Sequence, residues 1–163
     1  MEMEDKFIIS NCFDSHVHLQ ATGQVGLGLQ LQNLTSAEEI KDISILDDYF
    51  SGDWLIGFGW NNYFWKEKNL PTKKILDKVF PDIPVLFSRV DGHASWLNSK
   101  ALEIVGLPES EGVLLEQDHI QALTKLPPYN RDQIKRQIKR AIKIFNQGGF
   151  THVRDMSMTL DVI

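Results

Sequence analysis

Two histidines separated by one residue are the clearest chemical signal in the sequence. His16 and His18 lie in FDSHVHLQ, at the end of an apolar run near the N-terminus. Alternate side chains of a strand point to the same face, so two such imidazoles lie about 7 Å apart and can bind one cation. The spacing indicates a metal site, and a pair of surface histidines on a half-exposed strand is the open alternative.

Asp14 precedes this pair and shares its face of the predicted strand. A carboxylate in this place can orient a metal-binding imidazole. It can also bond to the backbone at the start of the strand. The sequence leaves both interpretations open.

The composition limits the classes of partner. The chain has 163 residues with a formal net charge of -5, which argues against nucleic acid or an anionic membrane as a partner. Cys12 is the only cysteine, so no intrachain disulfide is expected. Because no secretory signal and no apolar run of about 20 residues is visible, we expect a cytoplasmic protein that does not span a membrane.

The elements that must position the histidines follow from periodicity. KFIISNCFDSHVHL predicts a strand, and the glycines at 23, 26 and 28 predict a flexible loop after it. LTSAEEIKDISILDDYF predicts a helix with Thr35 or Ser36 as its N-cap. A histidine pair between a strand and a loop lies at the edge where α/β proteins build active sites.

The rest of the chain alternates between predicted strands and helices. We expect strands in DWLIGFGWNNYFW and at residues 85–90, and helices after Pro71 and over SWLNSKALEIVGLP. RDQIKRQIKRAIKIFNQGG predicts an amphipathic helix, followed by a strand in FTHVRDM. Its apolar stripe contains Ile134, Ile138, Ala141, Ile142 and Phe145. The alternation indicates an α/β fold.

Five segments resemble, in the same order, motifs of the metal-dependent amidohydrolase superfamily: FDSHVHL, GFGWNNYFW, VFPDIPVLFSRVDGHASWLNSKALEIVGL, GVLLE and GGFTHVRDM. They are most similar to the amidohydrolase family 3 branch, which includes N-substituted formamide deformylase-like enzymes. The resemblance runs from about Asn11 to Met156. It implies an incomplete (β/α)8 TIM barrel, with residues 11–19 as the metal-binding first strand, 20–126 as a large α+β insertion, and 131–156 as a helix and second strand.

The resemblance also implies a set of site residues. His16 and His18 would bind a divalent metal, usually zinc, which activates water and polarises the carbonyl of a small amide-type substrate. Glu116 matches a glutamate that bridges to the metal, with a helix-start carboxylate as the alternative. His93 matches a residue that faces substrate and can bond to an oxyanion, with a structural role in the turn before the helix as the alternative.

The family's later metal ligands, a histidine on each of two later strands and an aspartate on the eighth, have no counterpart in these 163 residues. Three interpretations follow: an N-terminal piece of a longer hydrolase, half of a split barrel, or a non-catalytic remnant. The first is favoured. The expected macromolecular partner is the missing C-terminal part of the barrel or a second copy of the chain, and the isolated chain is expected to be inactive.

Overall fold

The computed structural model describes residues 11–157, which divide between two compact units. Among the described residues, unit 1 consists of residues 11–26 and 130–157, and unit 2 of Leu27–Tyr129. The strands are β1 (Cys12–Val17), β2 (Leu29–Gln30), β3 (Phe50–Ser51), β4 (Trp54–Trp60), β5 (Val85–Arg89), β6 (Ala94–Leu97), β7 (Val113–Leu115) and β8 (Phe150–Asp155). The α-helices are α1 (Leu19–Leu27), α2 (Lys73–Val79), α3 (Ser99–Val105), α4 (Glu116–Leu123) and α5 (Arg131–Gln147).

In the described part of unit 1, β1 pairs with β8 in parallel, and Cys12 lies opposite Phe150. The helix α5 precedes β8, begins with a capping box at Asn130 and contributes Ala141 to a small core that contains Val17 and Leu19. A strand, a covering helix and a parallel strand confirm the mixed α/β character that the sequence predicts.

Unit 2 is built on a six-stranded sheet in the order β2-β4-β5-β6-β7, with the short β3 also paired to β4. β2, β4 and β5 are parallel, whereas β6 and β7 continue the sheet antiparallel. Neighbouring residues of β5 alternate between two apolar clusters: Phe87 packs with Leu76 of α2, and Leu86 packs with Leu102 of α3. Because both faces of the sheet are buried, its central strands are almost continuously apolar.

Several predicted elements match these bounds. The strands expected in DWLIGFGWNNYFW, at residues 85–90 and in FTHVRDM correspond to β4, β5 and β8. The helix expected over SWLNSKALEIVGLP begins only at Ser99, because its first residues form β6 and Asn98 caps α3. Gly106, with φ of 86°, ends that helix as predicted.

Two predictions of local structure are wrong. The glycine-rich stretch after the histidines is not a loop, because α1 runs through Gly23 and Gly26. The helix expected in LTSAEEIKDISILDDYF is replaced by two short 3-10 helices, Ala37–Asp42 and Asp47–Tyr49. Ser36 makes no side-chain capping bond there, and the Glu39 carboxylate instead accepts hydrogen bonds from the backbone and hydroxyl of Thr35.

The apolar stripe predicted for α5 is confirmed except at Ile142: Ala141 is buried, and Ile138 and Phe145 pack against the same small core. Ile142 is 47% exposed, whereas Gln137 is buried beside Ala141. The buried face is therefore rotated away from Ile142 toward a polar residue, whose side chain accepts a hydrogen bond from Gln20 at 3.1 Å. Within residues 11–157, no helix is long and apolar enough to cross a membrane.

Candidate functional site

His16 and His18 lie side by side at the end of β1. Their ring centroids are 5.5 Å apart and the ring planes make an angle of 77°. Both residues are exposed, and His18 directly follows the strand, which ends at Val17. The pairing with β8 is irregular between Asp14 and Val17. The ring centroids are closer together than the 7 Å or so that separates the Cα atoms of alternate strand residues.

Asp14 contacts the backbone of the first histidine. Its Oδ1 accepts a hydrogen bond from the His16 backbone N–H at 3.0 Å. This contact corresponds to the backbone alternative that the sequence left open for Asp14.

The backbone of His18 is held by hydrogen bonds to its own carbonyl and to both neighbours. The His18 carbonyl oxygen accepts from the Thr22 backbone N–H at 2.8 Å and from the Thr22 hydroxyl at 2.9 Å. The Val17 carbonyl accepts from the Met156 N–H at 2.9 Å, and the Leu19 N–H donates to Asp155 Oδ2 at 2.6 Å. Sequence analysis missed Asp155. Its place at the end of a strand predicted to follow a covering helix was the available signal.

In unit 2, His93 and Glu116 form a close pair. His93 Nδ1 lies 3.1 Å from Glu116 Oε2, and the Glu116 backbone N–H donates to the His93 carbonyl oxygen at 3.0 Å. Both side chains are largely exposed. Glu116 has a φ of 44° at the first position of α4. A left-handed conformation in a residue with a side chain costs about 1 to 3 kcal/mol and is concentrated at functional sites.

Asp91 shapes the turn that carries His93. Its carboxylate accepts hydrogen bonds from the Arg89 guanidinium, with Nη2 at 2.7 Å, and from the His93 backbone N–H at 3.0 Å. The hydrogen bond from Arg89 lowers the pKa of Asp91, so this carboxylate stays charged. Asp91 therefore stabilises the turn that carries His93. A structural role in this turn is the alternative that the sequence left open for His93.

His119 lies in α4 and is buried, unlike His93. Its Nδ1 is 2.6 Å from the Ser95 hydroxyl oxygen, in a buried contact between α4 and β6. Burial lowers the pKa of His119 below 6.5, while a hydrogen bond with the Gly92 backbone opposes the shift. Since both residues of the contact are buried, it joins α4 to the sheet and is not open to a substrate.

The donor set at His16 and His18 fits part of a zinc site. Neutral imidazole nitrogens are common zinc ligands, and a structural or catalytic zinc site needs at least one further protein ligand. Among residues 11–157, no group of three or more His, Cys, Asp or Glu is arranged to hold a metal ion. His16 and His18 belong to unit 1, whereas His93 and Glu116 belong to unit 2.

Comparisons with known proteins place these residues in a wider context. YtcJ of Bacillus subtilis (strain 168), which carries a provisional amidohydrolase name, is 32% identical over 170 residues, covering 91% of this chain and 32% of its own length. N-substituted formamide deformylase of Arthrobacter pascens is 25% identical over 126 residues, covering 72% of this chain and 23% of its own.

One solved structure is similar along almost all of the chain. It is the crystal structure of an uncharacterized metal-dependent hydrolase from Pyrococcus horikoshii OT3, with a TM-score of 0.70 and 27% sequence identity. The match covers 94% of this chain and 32% of that protein. The chain thus spans a third or less of these relatives.

The sequence itself also matches a family profile. Residues 12–162, from the start of β1 onward, match the profile of the amidohydrolase family. This range includes the histidine pair and β8, together with all of unit 2. The chain belongs to the amidohydrolase family.

Proposed function

We propose that this chain is the metal-binding part of a hydrolase that cleaves amide-type carbon–nitrogen bonds in small molecules. The observation that carries the proposal is the arrangement of His16 and His18, two exposed imidazoles 5.5 Å apart at the end of a parallel strand. Membership in the amidohydrolase family and the similarity to a metal-dependent hydrolase support it.

His16 and His18 would hold the metal, and zinc is an ion that imidazole nitrogens commonly bind. A bound zinc would supply a Lewis acid that activates water and polarises a carbonyl. Glu116 is proposed as a further ligand. The resemblance to the family motifs carries this part of the proposal, and the left-handed backbone of Glu116 agrees with a functional role, since such strain is concentrated at functional sites.

His93 would face the substrate and donate a hydrogen bond to its carbonyl oxygen. The Glu116 carboxylate at Nδ1 orients the imidazole, and the Asp91 bond to the His93 N–H orients the backbone. Because Nδ1 donates its proton to the Glu116 carboxylate, Nε2 can donate to the substrate only in the doubly protonated imidazolium form of His93. A donor aimed at developing negative charge stabilises the transition state of acyl transfer.

We also propose that β1 and β8 are the first two strands of an incomplete (β/α)8 barrel, with unit 2 as an insertion between them. The parallel pairing of β1 with β8 supports this arrangement. The chain spans a third or less of YtcJ and of the Pyrococcus horikoshii hydrolase, which supports a further polypeptide segment that completes the barrel. That segment would supply the remaining ligands, so we expect the 163-residue chain to bind zinc without turnover.

Zinc binding by the isolated chain tests the proposal. Zinc is titrated into the parent chain and into His16→Ala and His18→Ala, with His152→Ala as the control because His152 is an exposed histidine of the same unit. We expect each of the first two variants to weaken zinc binding at least tenfold, since metal-site substitutions commonly cost 10 to 100-fold. Equal zinc affinity in all four proteins would refute the metal site.

Activity requires the longer protein that contains the later ligands. There, His16→Ala or His18→Ala should remove zinc and amide hydrolysis together. His93→Gln should retain zinc and lower turnover by about 100-fold or more, the usual cost of losing one oxyanion donor. Full activity without bound zinc would contradict the proposed chemistry.

A further inference from the structure

We propose that Asp155 is a positioning residue that sets the direction of the His18 imidazole for metal binding. The inference rests on the proposed function, because it concerns a ligand of that metal site. Asp155 lies at the end of β8, beside the end of β1. It contacts Leu19, which is 136 positions away in the chain.

The last residue of β8 and the residue after it bond to the peptide groups on both sides of His18. Asp155 Oδ2 accepts from the Leu19 N–H at 2.6 Å, and the next residue, Met156, donates its N–H to the Val17 carbonyl at 2.9 Å. The peptide groups before and after His18 are therefore both bonded to the end of β8. Rotation of the His18 backbone would break one of these bonds.

Asp155 also begins the helix that follows. The Leu19 N–H is the first of the donors at the start of α1 that have no partner within the helix, and a carboxylate is favoured there by the helix dipole. Once α1 is started at this point, the Thr22 N–H and hydroxyl bond the His18 carbonyl. Asp155 therefore fixes the Leu19 N–H at the start of α1, and Thr22 in the first turn of that helix fixes the His18 carbonyl.

Asp155 is in turn held rigid by its own neighbour. Its Oδ1 accepts from the Ser157 N–H at 2.7 Å and from the Ser157 hydroxyl at 3.3 Å. Both carboxylate oxygens are thus used by the protein, and the described contacts give Asp155 the role of a support for the ligand rather than that of a ligand. The His18 side chain is exposed and remains open to the ion.

Two substitutions separate positioning from charge. Asp155→Asn and Asp155→Ala both remove the negative charge, but only the asparagine retains an oxygen that can accept from the Leu19 N–H. If Asp155 positions His18, the alanine variant should lose zinc affinity about tenfold, and the asparagine variant should stay within about threefold of the parent. Equal losses in both variants would show an electrostatic effect only and would overturn the inference.

A second readout does not depend on metal. Amide hydrogen exchange at Leu19 reports the Asp155 bond directly, and a nuclear Overhauser contact between the two imidazoles reports the ring arrangement. We expect Asp155→Ala to accelerate the exchange and weaken the contact, and Asp155→Asn to preserve both. Asp132→Ala in α5 is the control, since it removes an acidic residue at the first turn of another helix in the same unit.

The outcomes distinguish this inference from the proposed function. A parent chain that does not bind zinc would contradict the metal site, and the exchange and ring-contact data would then decide the role of Asp155 alone. A parent chain that binds zinc, together with an Asp155→Ala variant that binds equally well, would overturn the positioning role and leave the metal site intact. If Asp155→Ala does not fold, the Leu19 amide of Asp155→Asn is the test. An exchange rate equal to that of the parent supports the inference, and unprotected exchange overturns it.

Discussion

The backbone carbonyl oxygen of Gln137 lies 1.7 Å from the position that a Cβ atom at Gly23 would occupy. Both residues are buried, so the glycine lets α1 and α5 approach at backbone distance. Gln20 adds a side-chain hydrogen bond to Gln137 at 3.1 Å. Since α1 begins directly after His18, the packing of these helices determines the structure that supports the histidine pair.

Gly23→Ala should destabilise unit 1 by about 1 to 3 kcal/mol, the usual cost of forcing atoms into a packed core. The gain in helix propensity, about 1 kcal/mol, is too small to offset a clash with backbone. Amide hydrogen exchange in α5 is the suitable measurement, because all four tryptophans lie in unit 2 and their fluorescence does not report on unit 1.

Gly26→Ala is the matched control for that substitution. It lies in the same helix, but its added Cβ would meet the side-chain ends of Ile144 and Arg140 at 3.0 and 3.1 Å, which can move. Equal exchange protection in the two variants would contradict the close approach of the helices.

Asn98 should be the costliest polar residue to remove from unit 2. It is 1% exposed, its Nδ2 donates to the carbonyls of Phe80 and Ile83, and its Oδ1 accepts from the backbone N–H groups of Val85 and Ala101. Asn98→Ala leaves four backbone groups without this partner, so we expect a loss of about 3 kcal/mol or more in unfolding free energy. Urea denaturation followed by tryptophan fluorescence measures it.

A second capping asparagine of unit 2 provides the comparison for Asn98. Asn61 Oδ1 accepts a single exposed hydrogen bond, from the Tyr63 N–H at 3.1 Å. Asn61→Ala should therefore cost about 1 kcal/mol, as for an ordinary N-cap. If Asn98→Ala were no worse than Asn61→Ala, the buried network would have no special contribution to stability.

Glu116 should be more easily replaced by glycine than by alanine. Its φ of 44° is a conformation that costs residues with a Cβ about 1 to 2 kcal/mol and glycine almost nothing. Glu116→Gly should therefore be more stable than Glu116→Ala by about 1 kcal/mol, measured by urea denaturation.

Glu103, an exposed residue within α3, is the control for this order of stability. In an ordinary helical conformation glycine is the worse residue by about 1 kcal/mol, so Glu103→Gly should be less stable than Glu103→Ala. The same order at both positions would show that Glu116 is not strained. In the longer protein, Glu116→Gly should also lose metal affinity if the carboxylate is a ligand.

His119 should make unit 2 less stable in acid. Burial keeps its folded-state pKa below 6.5, so the unfolded chain binds the proton first as the pH falls. Its contribution to stability is full above pH 6.5 and is lost as the pH falls through 6.5 toward the lower folded-state pKa. The fluorescence-detected unfolding free energy should therefore decrease less between about pH 7.5 and pH 5 in His119→Gln than in the parent chain.

His152→Gln in unit 1 tests whether any histidine replacement has this effect on unit 2. We expect its fluorescence-detected pH dependence to equal that of the parent. An identical pH dependence in His119→Gln and the parent would mean that burial does not lower the pKa of His119.

The elements that sequence analysis predicted correctly are those with a strong local pattern. The amphipathic period of α5, the β-rich runs of β4 and β5, and the glycine at the end of α3 are all readable within a few residues. One wrong prediction has a non-local cause. Gly23 indicates a loop by itself, but in the structure it lies in a helix, where it permits contact with a residue more than a hundred positions away.

The candidate site divides in the same way. The spacing of His16 and His18 in the chain already indicates a pair of nearby imidazoles, because a single intervening residue keeps them close in any extended backbone. The contact of His93 with Glu116 and the contact of Ser95 with His119 join residues 23 and 24 positions apart, and no local pattern predicts either of them. Asp155 is the extreme case, at 136 positions from Leu19.

The sequence by itself determined the alternation of strands and helices, the histidine pair and the family of the chain, because these depend on residue order and short-range spacing. Only the tertiary structure decided which carboxylate supports which histidine, which glycine permits helix contact and which histidine is buried. The physical reason is that hydrogen bonds and close packing depend on atoms within about 3 to 4 Å, and folding brings such atoms together irrespective of their separation along the chain.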